Sequence, residues 1–190
     1  FLGAKMDTEA DTCRKEVVPK LVEAGWDNAP HAINEQRTFT DGRIVFVGGK
    51  ARRGRQKRAD FILRYRTDFP IAVVEAKSKY KHAADGLQQA REYAEILGLK
   101  FAYSTNGREI IEIDYTTGIE REVSSYPSPE ELWARLSETE EITPEIKAHL
   151  LSPTYPDKSK PLRYYQEIAV NRAVQAVLQD RKRVLLTLCT

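Results

Sequence analysis

Cysteine is scarce: the chain holds two, Cys13 and Cys189, near opposite ends. No CxxC pair or Cys/His spacing accompanies them, so no zinc site is indicated. A reducing, cytoplasmic setting is the expectation. Long apolar runs are missing too. None approaches the roughly 20 residues of a membrane span, so no membrane association is expected. Phe1 to Lys5 lack the apolar core of a secretory signal, and Met6 is a candidate native start. Charge of one sign is not in excess. The formal net charge of +2 announces no nucleic-acid partner, and local clustering has to make that case. Internal repeats and low-complexity tracts are absent. At 41% hydrophobic and 31% charged residues, the composition is that of a globular protein. The 190 residues suit one domain plus part of another.

Local patterns predict the elements. Thr8-Glu9-Ala10-Asp11 has capping-box form, and Ala10, Cys13, Val17, Val18 and Leu21 follow at helical spacing. Gly25 is the expected stop, with Trp26 packed beneath the helix end. Ile33–Phe39 and Ile44–Val47 are strand candidates, the second ended by Gly48-Gly49. Asp60–Arg66 and Ile71–Lys77 flank a hairpin turn at Thr67-Asp68-Phe69-Pro70. The apolar run Ile71-Ala72-Val73-Val74 suits a central strand buried on both faces. Ala83–Leu97 reads as a helix ended by Gly98, with Leu87, Ala90, Ala94 and Leu97 as its packing stripe. Phe101–Ser104 and Glu109–Ile113 flank the hairpin signal Asn106-Gly107. Pro129 opens a short helix carrying Leu132, Trp133 and Leu136. Residues 138–161 read as a short helix and then a proline-rich linker. An amphipathic helix is expected over Tyr164–Gln179, and a strand over Val184–Leu188.

Asp60 and Glu75-Ala76-Lys77 carry the chemistry. Glu75 and Lys77 are two apart on a strand and share a face, and Asp60 opens the neighbouring strand. Two converging carboxylates make a hard oxygen site suited to Mg²⁺, to which the Ala76 carbonyl could add a ligand. A lysine beside them can orient or help deprotonate an attacking water and balance phosphate charge. Charges directly after four buried apolar residues have little structural purpose. Just upstream, Lys50, Arg52, Arg53, Arg55, Lys57 and Arg58 place six cations within nine residues. Such a cluster attracts a phosphate backbone, although charge runs are more often solvated loops. Gln89 and Tyr93 lie four apart and share a helix face that is not the Leu87/Ala90/Ala94 stripe.

In order, the chain presents Glu9-Ala10-Asp11-Thr12-Cys13-Arg14, Gly48-Gly49 with the basic loop, and Arg58-Ala59-Asp60-Phe61. Then come Ile71-Ala72-Val73-Val74-Glu75-Ala76-Lys77, Gln89-x-x-x-Tyr93 and Ser104-Thr105-Asn106-Gly107. Over about residues 7–137 this series resembles the N-terminal PD-(D/E)xK nuclease domain of type I restriction enzyme R (HsdR) subunits. The resemblance implies an α/β restriction-endonuclease-like core, a mixed central sheet flanked by helices. It implies Mg²⁺-dependent cleavage of double-stranded DNA, with Asp60, Glu75 and Lys77 as the catalytic triplet. Glu9 matches an acidic helix position that can join the metal site, although a carboxylate in a first helical turn is favourable anyway. Gln89 and Tyr93 match a motif that helps place DNA near the metal. Ala59 stands where the family's usual proline precedes the aspartate.

Leu162-Arg163-Tyr164-Tyr165-Gln166 resembles the Q motif of superfamily 2 helicases, whose glutamine reads adenine. Val184–Thr190 resembles the strand before a P-loop. The implied division is a nuclease domain over 6–137, a linker over 138–161 and the start of an ATP-driven motor over 162–190. ATP would then matter only in the full-length protein, with methyltransferase (M) and specificity (S) subunits as partners. A stand-alone nuclease of the same fold, or a non-catalytic DNA-binding or assembly domain, are the competing readings.

Overall fold

The computed structural model describes residues 7–39, 44–47, 50–53, 56–152 and 163–186. A mixed six-stranded sheet runs in the order β1-β4-β5-β6-β7-β8. Its strands are β1 (Ala32–Phe39), β4 (Lys57–Arg66), β5 (Phe69–Ala76), β6 (Phe101–Thr105), β7 (Ile110–Asp114) and β8 (Ile119–Val123). Only β5 and β6 pair in parallel; every other neighbouring pair is antiparallel. A parallel pair needs a crossover. Here it is a 3₁₀ turn (Ala83–Gly86) followed by α3 (Leu87–Leu97). β2 (Ile44–Val47) and β3 (Lys50–Arg53) form a separate hairpin.

The chain enters through α1 (Glu9–Thr12), a π-helical segment (Cys13–Val17) and α2 (Val18–Glu23). The predicted capping box is present, Thr8 and Asp11 each accepting the other's backbone N–H. The wider π register ends two residues before Pro19, which lacks the N–H that an α-helical turn would use. Gly25, at φ +91°, turns the chain so that Trp26 is fully buried.

Helices cover both faces of the sheet. Phe61, Leu63, Ala72, Val74, Phe101 and Tyr103 point to one side and pack with Val17, Leu21, Trp26 and the α4 (Pro129–Thr139) residues Leu132 and Trp133. Ile62, Val73 and Ala102, alternating with them, pack against Ala90, Ala94 and Leu97 of α3 on the other side. Period-two alternation thus places Val73 and Val74 on opposite faces, and both are fully buried, as the apolar run predicted. Gly98 ends α3 in the left-handed conformation at φ +68°.

The short helix expected after residue 138 and the helix expected from Tyr164 are both present; the strand expected over Val184–Leu188 needs correction. Residues 138–152 do not stand apart from the core. α5 (Pro144–Leu150) lies there, Leu150 is buried, and Ile142 and Leu151 pack against the core; residues 153–162 lie outside the described residues. α6 (Tyr164–Leu178) docks on the β4–β5 hairpin: Ile168 packs against the α3-side core. Its Glu167 pairs with Arg64, and Asn171 donates to the Asp68 carbonyl at 2.9 Å. Val184–Leu186 form no strand, and residues 187–190 lie outside the described residues. An extended apolar segment needs a neighbouring strand to pair with, and Leu185 is instead 90% exposed.

Candidate active site

β4 and β5 are in register at Phe61↔Val74, so one residue further on Asp60 stands across from Glu75. The Asp60 carboxylate is held in place by the Ala76 N–H, which donates to Oδ2 at 2.8 Å. Glu75 falls on the α3 face by alternation and is 3% exposed. Its Oε1 accepts from Lys77 Nζ at 2.8 Å. Lys77 follows the last residue of β5, its N–H donating to the Thr105 carbonyl at 2.7 Å. The same ammonium donates to Gln89 Oε1 at 2.5 Å, and Gln89 Nε2 donates to the Tyr93 hydroxyl at 3.3 Å. The fold therefore brings Asp60, Glu75, Lys77, Gln89 and Tyr93 into one continuous polar array.

Burial, and then the neighbouring Asp60 charge, push the Glu75 carboxyl up to about 7. Asp60 is raised as well, chiefly by burial, with the Ala76 N–H opposing. Burial disfavours the Lys77 ammonium, but the Glu75 bond and the surrounding carboxylates outweigh it and raise the amine. Lys77 is thus held as a cation. That favours charge balance and orientation over the water deprotonation allowed for it from the sequence. Two buried carboxylates resist holding two negative charges side by side, and Glu75 Oε2 has no hydrogen-bond partner. A divalent cation relieves both, and carboxylate oxygens are the donors that Mg²⁺ takes. Asp60 and Glu75 therefore fit the ion. Among the described residues no cluster of three or more His, Cys, Asp or Glu side chains completes a metal cage.

Glu9 is exposed at the first position of α1, and its charge is felt at Asp60, Glu75 and Lys77. Cys13 sits close by, and burial and the carboxylates of Asp60, Glu9, Glu75 and Glu35 push its thiol up to about 12, which disfavours the thiolate. Tyr93 departs from the expected separate face. It is 5% exposed, belongs to the α3-side core and meets Phe39 edge-on at 5.1 Å. Only its hydroxyl reaches the array, because a tyrosine can bury its ring and keep a polar tip.

The basic segment is divided. Lys57 and Arg58 begin β4; Lys57 is paired with Glu92 of α3, and Arg58 is exposed with its charge felt at Asp60. Arg52 and Arg53 lie on β3, and Arg55 is outside the described residues. Gln166 is elsewhere: its Oε1 accepts the Arg163 N–H at 3.0 Å and caps α6.

One residue of the site carries no motif. A Cβ on Gly86 would lie 2.3 Å from Ser104 Oγ and 3.3 Å from both Glu75 Cγ and Lys77 Cε. Ser104 cannot retreat, being fully buried and donating to the Ala83 carbonyl at 2.5 Å. Gly86→Ala is expected to cost about 1–3 kcal/mol by overpacking and to displace Glu75 and Lys77. Gly86→Ala/Ser104→Ala should recover melting temperature and activity together. A single variant that melts and acts like wild type would show that the turn simply shifts aside.

No family model matches the chain. It is 35% identical over 190 aligned residues to the type I restriction enzyme EcoAI endonuclease subunit of Escherichia coli, spanning 96% of this chain and 23% of that protein. A solved fragment assigned to the HsdR subunit of a type I restriction enzyme from Vibrio vulnificus YJ016 is 58% identical, with a TM-score of 0.84. That match covers 97% of this chain and 35% of the fragment. The chain thus spans about a quarter to a third of the relatives it matches.

Proposed function

We propose, from the premise that this chain is homologous along nearly its whole length to the endonuclease (HsdR) subunits of type I restriction enzymes, that its Asp60–Glu75–Lys77 site hydrolyses phosphodiester bonds of double-stranded DNA with Mg²⁺. The observation that carries the reading is the pairing of two buried carboxylates, one with an unpartnered oxygen, beside a lysine held as a cation. Asp60 and Glu75 would hold the ion, with the Ala76 carbonyl as a further candidate ligand; water and phosphate oxygens are its usual remaining ligands. When bound, Mg²⁺ supplies Lewis acidity, lowering the pKa of a water and offsetting charge on the leaving oxygen. Lys77 orients the phosphate and balances its charge. Gln89, anchored by Tyr93, fixes the Lys77 ammonium, so both act on DNA placement through Lys77. Glu9 adds negative charge at the rim. Arg52, Arg53, Arg55, Lys57 and Arg58 supply sequence-independent attraction to phosphates.

We expect no intrinsic base preference of this site, which suits an enzyme that takes its sequence information from another subunit. We read the intact protein as a cytoplasmic R subunit. In it, an ATP-driven motor beginning near α6 moves DNA, and M and S subunits provide recognition. In that setting Gln166 would read adenine.

Asp60→Asn in the full-length subunit, assembled with its partners, tests the site. Plasmid cleavage is expected to fall by at least a hundredfold and calorimetric Mg²⁺ binding to weaken, with ATP hydrolysis intact. Cleavage at the wild-type rate would sink the assignment and favour a non-catalytic DNA-binding role.

A further inference from the structure

The segment that leaves the site, Ser78–His82, is anchored from below; Tyr80, Lys81 and His82 are exposed, while Lys79 is half-buried and paired with Asp7. The Lys79 N–H donates to Thr12 Oγ1 at 3.1 Å, and the Lys81 N–H donates to the Ser78 carbonyl at 2.9 Å. From the other side, Asn106 Nδ2 donates to the Lys81 carbonyl at 2.9 Å. Thr12 and Asn106 are both buried, so the loop backbone is fixed to the body of the domain. The Asn106 side chain serves a second loop as well. Its Oδ1 accepts the N–H of Arg108 at 3.0 Å and that of Glu109 at 2.8 Å. One buried amide therefore sets Lys81 and Arg108 at fixed positions from two different loops.

Tyr80, next to Lys81 in the first of these loops, is 57% exposed, with Lys79 Nζ 5.3 Å from its ring centroid. The ring contact is with this neighbouring lysine, outside both core clusters. The nearby carboxylates are engaged: Asp85, though exposed, accepts the His82 N–H at 3.2 Å; Glu109, also exposed, accepts from Ala83 N at 3.3 Å and Asn106 Nδ2 at 3.2 Å; and Asp7 pairs with Lys79. Lys81 and Arg108 are exposed and have no ion-pair partner among the described residues. The tip follows Lys77 directly, at the carboxyl ends of the parallel strands β5 and β6, where open α/β sheets receive ligands.

We propose that Tyr80, Lys81 and Arg108 form a rigid DNA-contacting ridge. The Tyr80 ring packs into a groove of the duplex beside the cleaved bond, and the two cations sit on flanking phosphates. This rests on the nuclease reading above and adds to it the surface that positions the substrate. Rigidity matters because a backbone already ordered loses little freedom on binding.

The test uses the full-length subunit assembled with its partners. Duplex binding is read by fluorescence anisotropy in Ca²⁺ across a salt series, and plasmid cleavage is read separately in Mg²⁺. Tyr80→Ala should bind on the order of tenfold more weakly and cleave correspondingly slower, whereas Tyr80→Phe stays near wild type. Lys81→Ala/Arg108→Ala should weaken binding alike on unrelated sequences and flatten the salt slope by roughly 1.8, about 0.9 per phosphate contact. Melting temperature and Mg²⁺ affinity should not move. Wild-type binding by both Tyr80→Ala and the double variant overturns the ridge, as does a loss that merely follows a drop in melting temperature. Failure of the nuclease reading looks different: the wild-type protein would not cleave, yet the Ca²⁺ binding series would still report on the ridge.

Discussion

Glu75→Gln is expected to abolish DNA cleavage and, in the same protein without divalent metal, to raise stability above neutral pH. The two effects share one cause. Glu75 is 3% exposed and stands across from Asp60, so folding raises its carboxyl from an ordinary 4.5 to about 7. A carboxyl raised by folding contributes stability that is fully present below its unfolded pKa and is lost as pH rises through the folded one. Metal-free wild type should therefore lose stability between about pH 4.5 and 7, by roughly 3 kcal/mol at most. The glutamine has no charge to desolvate, and its profile should lack that fall. At pH 8 its melting temperature should exceed that of wild type. Adding Mg²⁺ should reverse the order, because an ion that binds only the folded wild type stabilises only the wild type. Melting curves in EDTA and in Mg²⁺, from pH 4 to 9, measure both. Parallel profiles in EDTA would mean that Glu75 is not the strained carboxyl described here.

Much of this arrangement is legible in sequence where a local pattern and the tertiary demand coincide. Ile71–Val74 is apolar because β5 is covered on both faces, and Glu75 and Lys77 share a face because strands have a period of two. The Thr8–Asp11 box and the turn at Asn106-Gly107 are likewise local. The misses are long-range or lack amphipathic contrast. β8, Ile119-Glu120-Arg121-Glu122-Val123, is almost wholly exposed at the sheet edge and so shows no buried face to recognise. Tyr93 reads as lying off the packing stripe because helical spacing gives direction and not depth; Phe39, far away in sequence, packs against its ring. Gly86 gave no signal, since its requirement arises only when β6 brings Ser104 beside the turn. Val184–Leu188 reads as a strand from its apolar run and its resemblance to the strand before a P-loop, but a strand exists only with a partner, and the described part, Val184–Leu186, has none.

Glu112→Ala is expected to be the most destabilising single substitution outside the apolar core, at about 3–5 kcal/mol. Glu112 lies on β7 and is fully buried, yet it collects donors from three other elements. Tyr103 of β6 donates to it at 2.7 Å, Arg121 of β8 at 2.9 and 3.1 Å, and Arg135 of α4 at 2.9 Å. Arg135 also bonds Glu131 at 3.0 Å and lies 6.0 Å from the Phe101 ring centroid. Alanine here strands a buried Tyr103 hydroxyl and leaves the partly buried Arg135 guanidinium with only the exposed Glu131 at 3.0 Å and Asp114 at 3.7 Å. For a domain of this size the loss corresponds to a melting temperature roughly 10 °C lower. Arg121→Ala should cost less than about 1 kcal/mol, because that side chain is 53% exposed and water replaces its bond. Arg135→Ala should fall between the two. The cleavage rate per folded molecule should be unchanged in all three, since Glu112 contacts none of Asp60, Glu75 or Lys77. Differential scanning calorimetry gives the ranking. Equal losses for Glu112→Ala and Arg121→Ala would mean that the cluster behaves as a surface ion pair and that β8 is held by its backbone ladder alone.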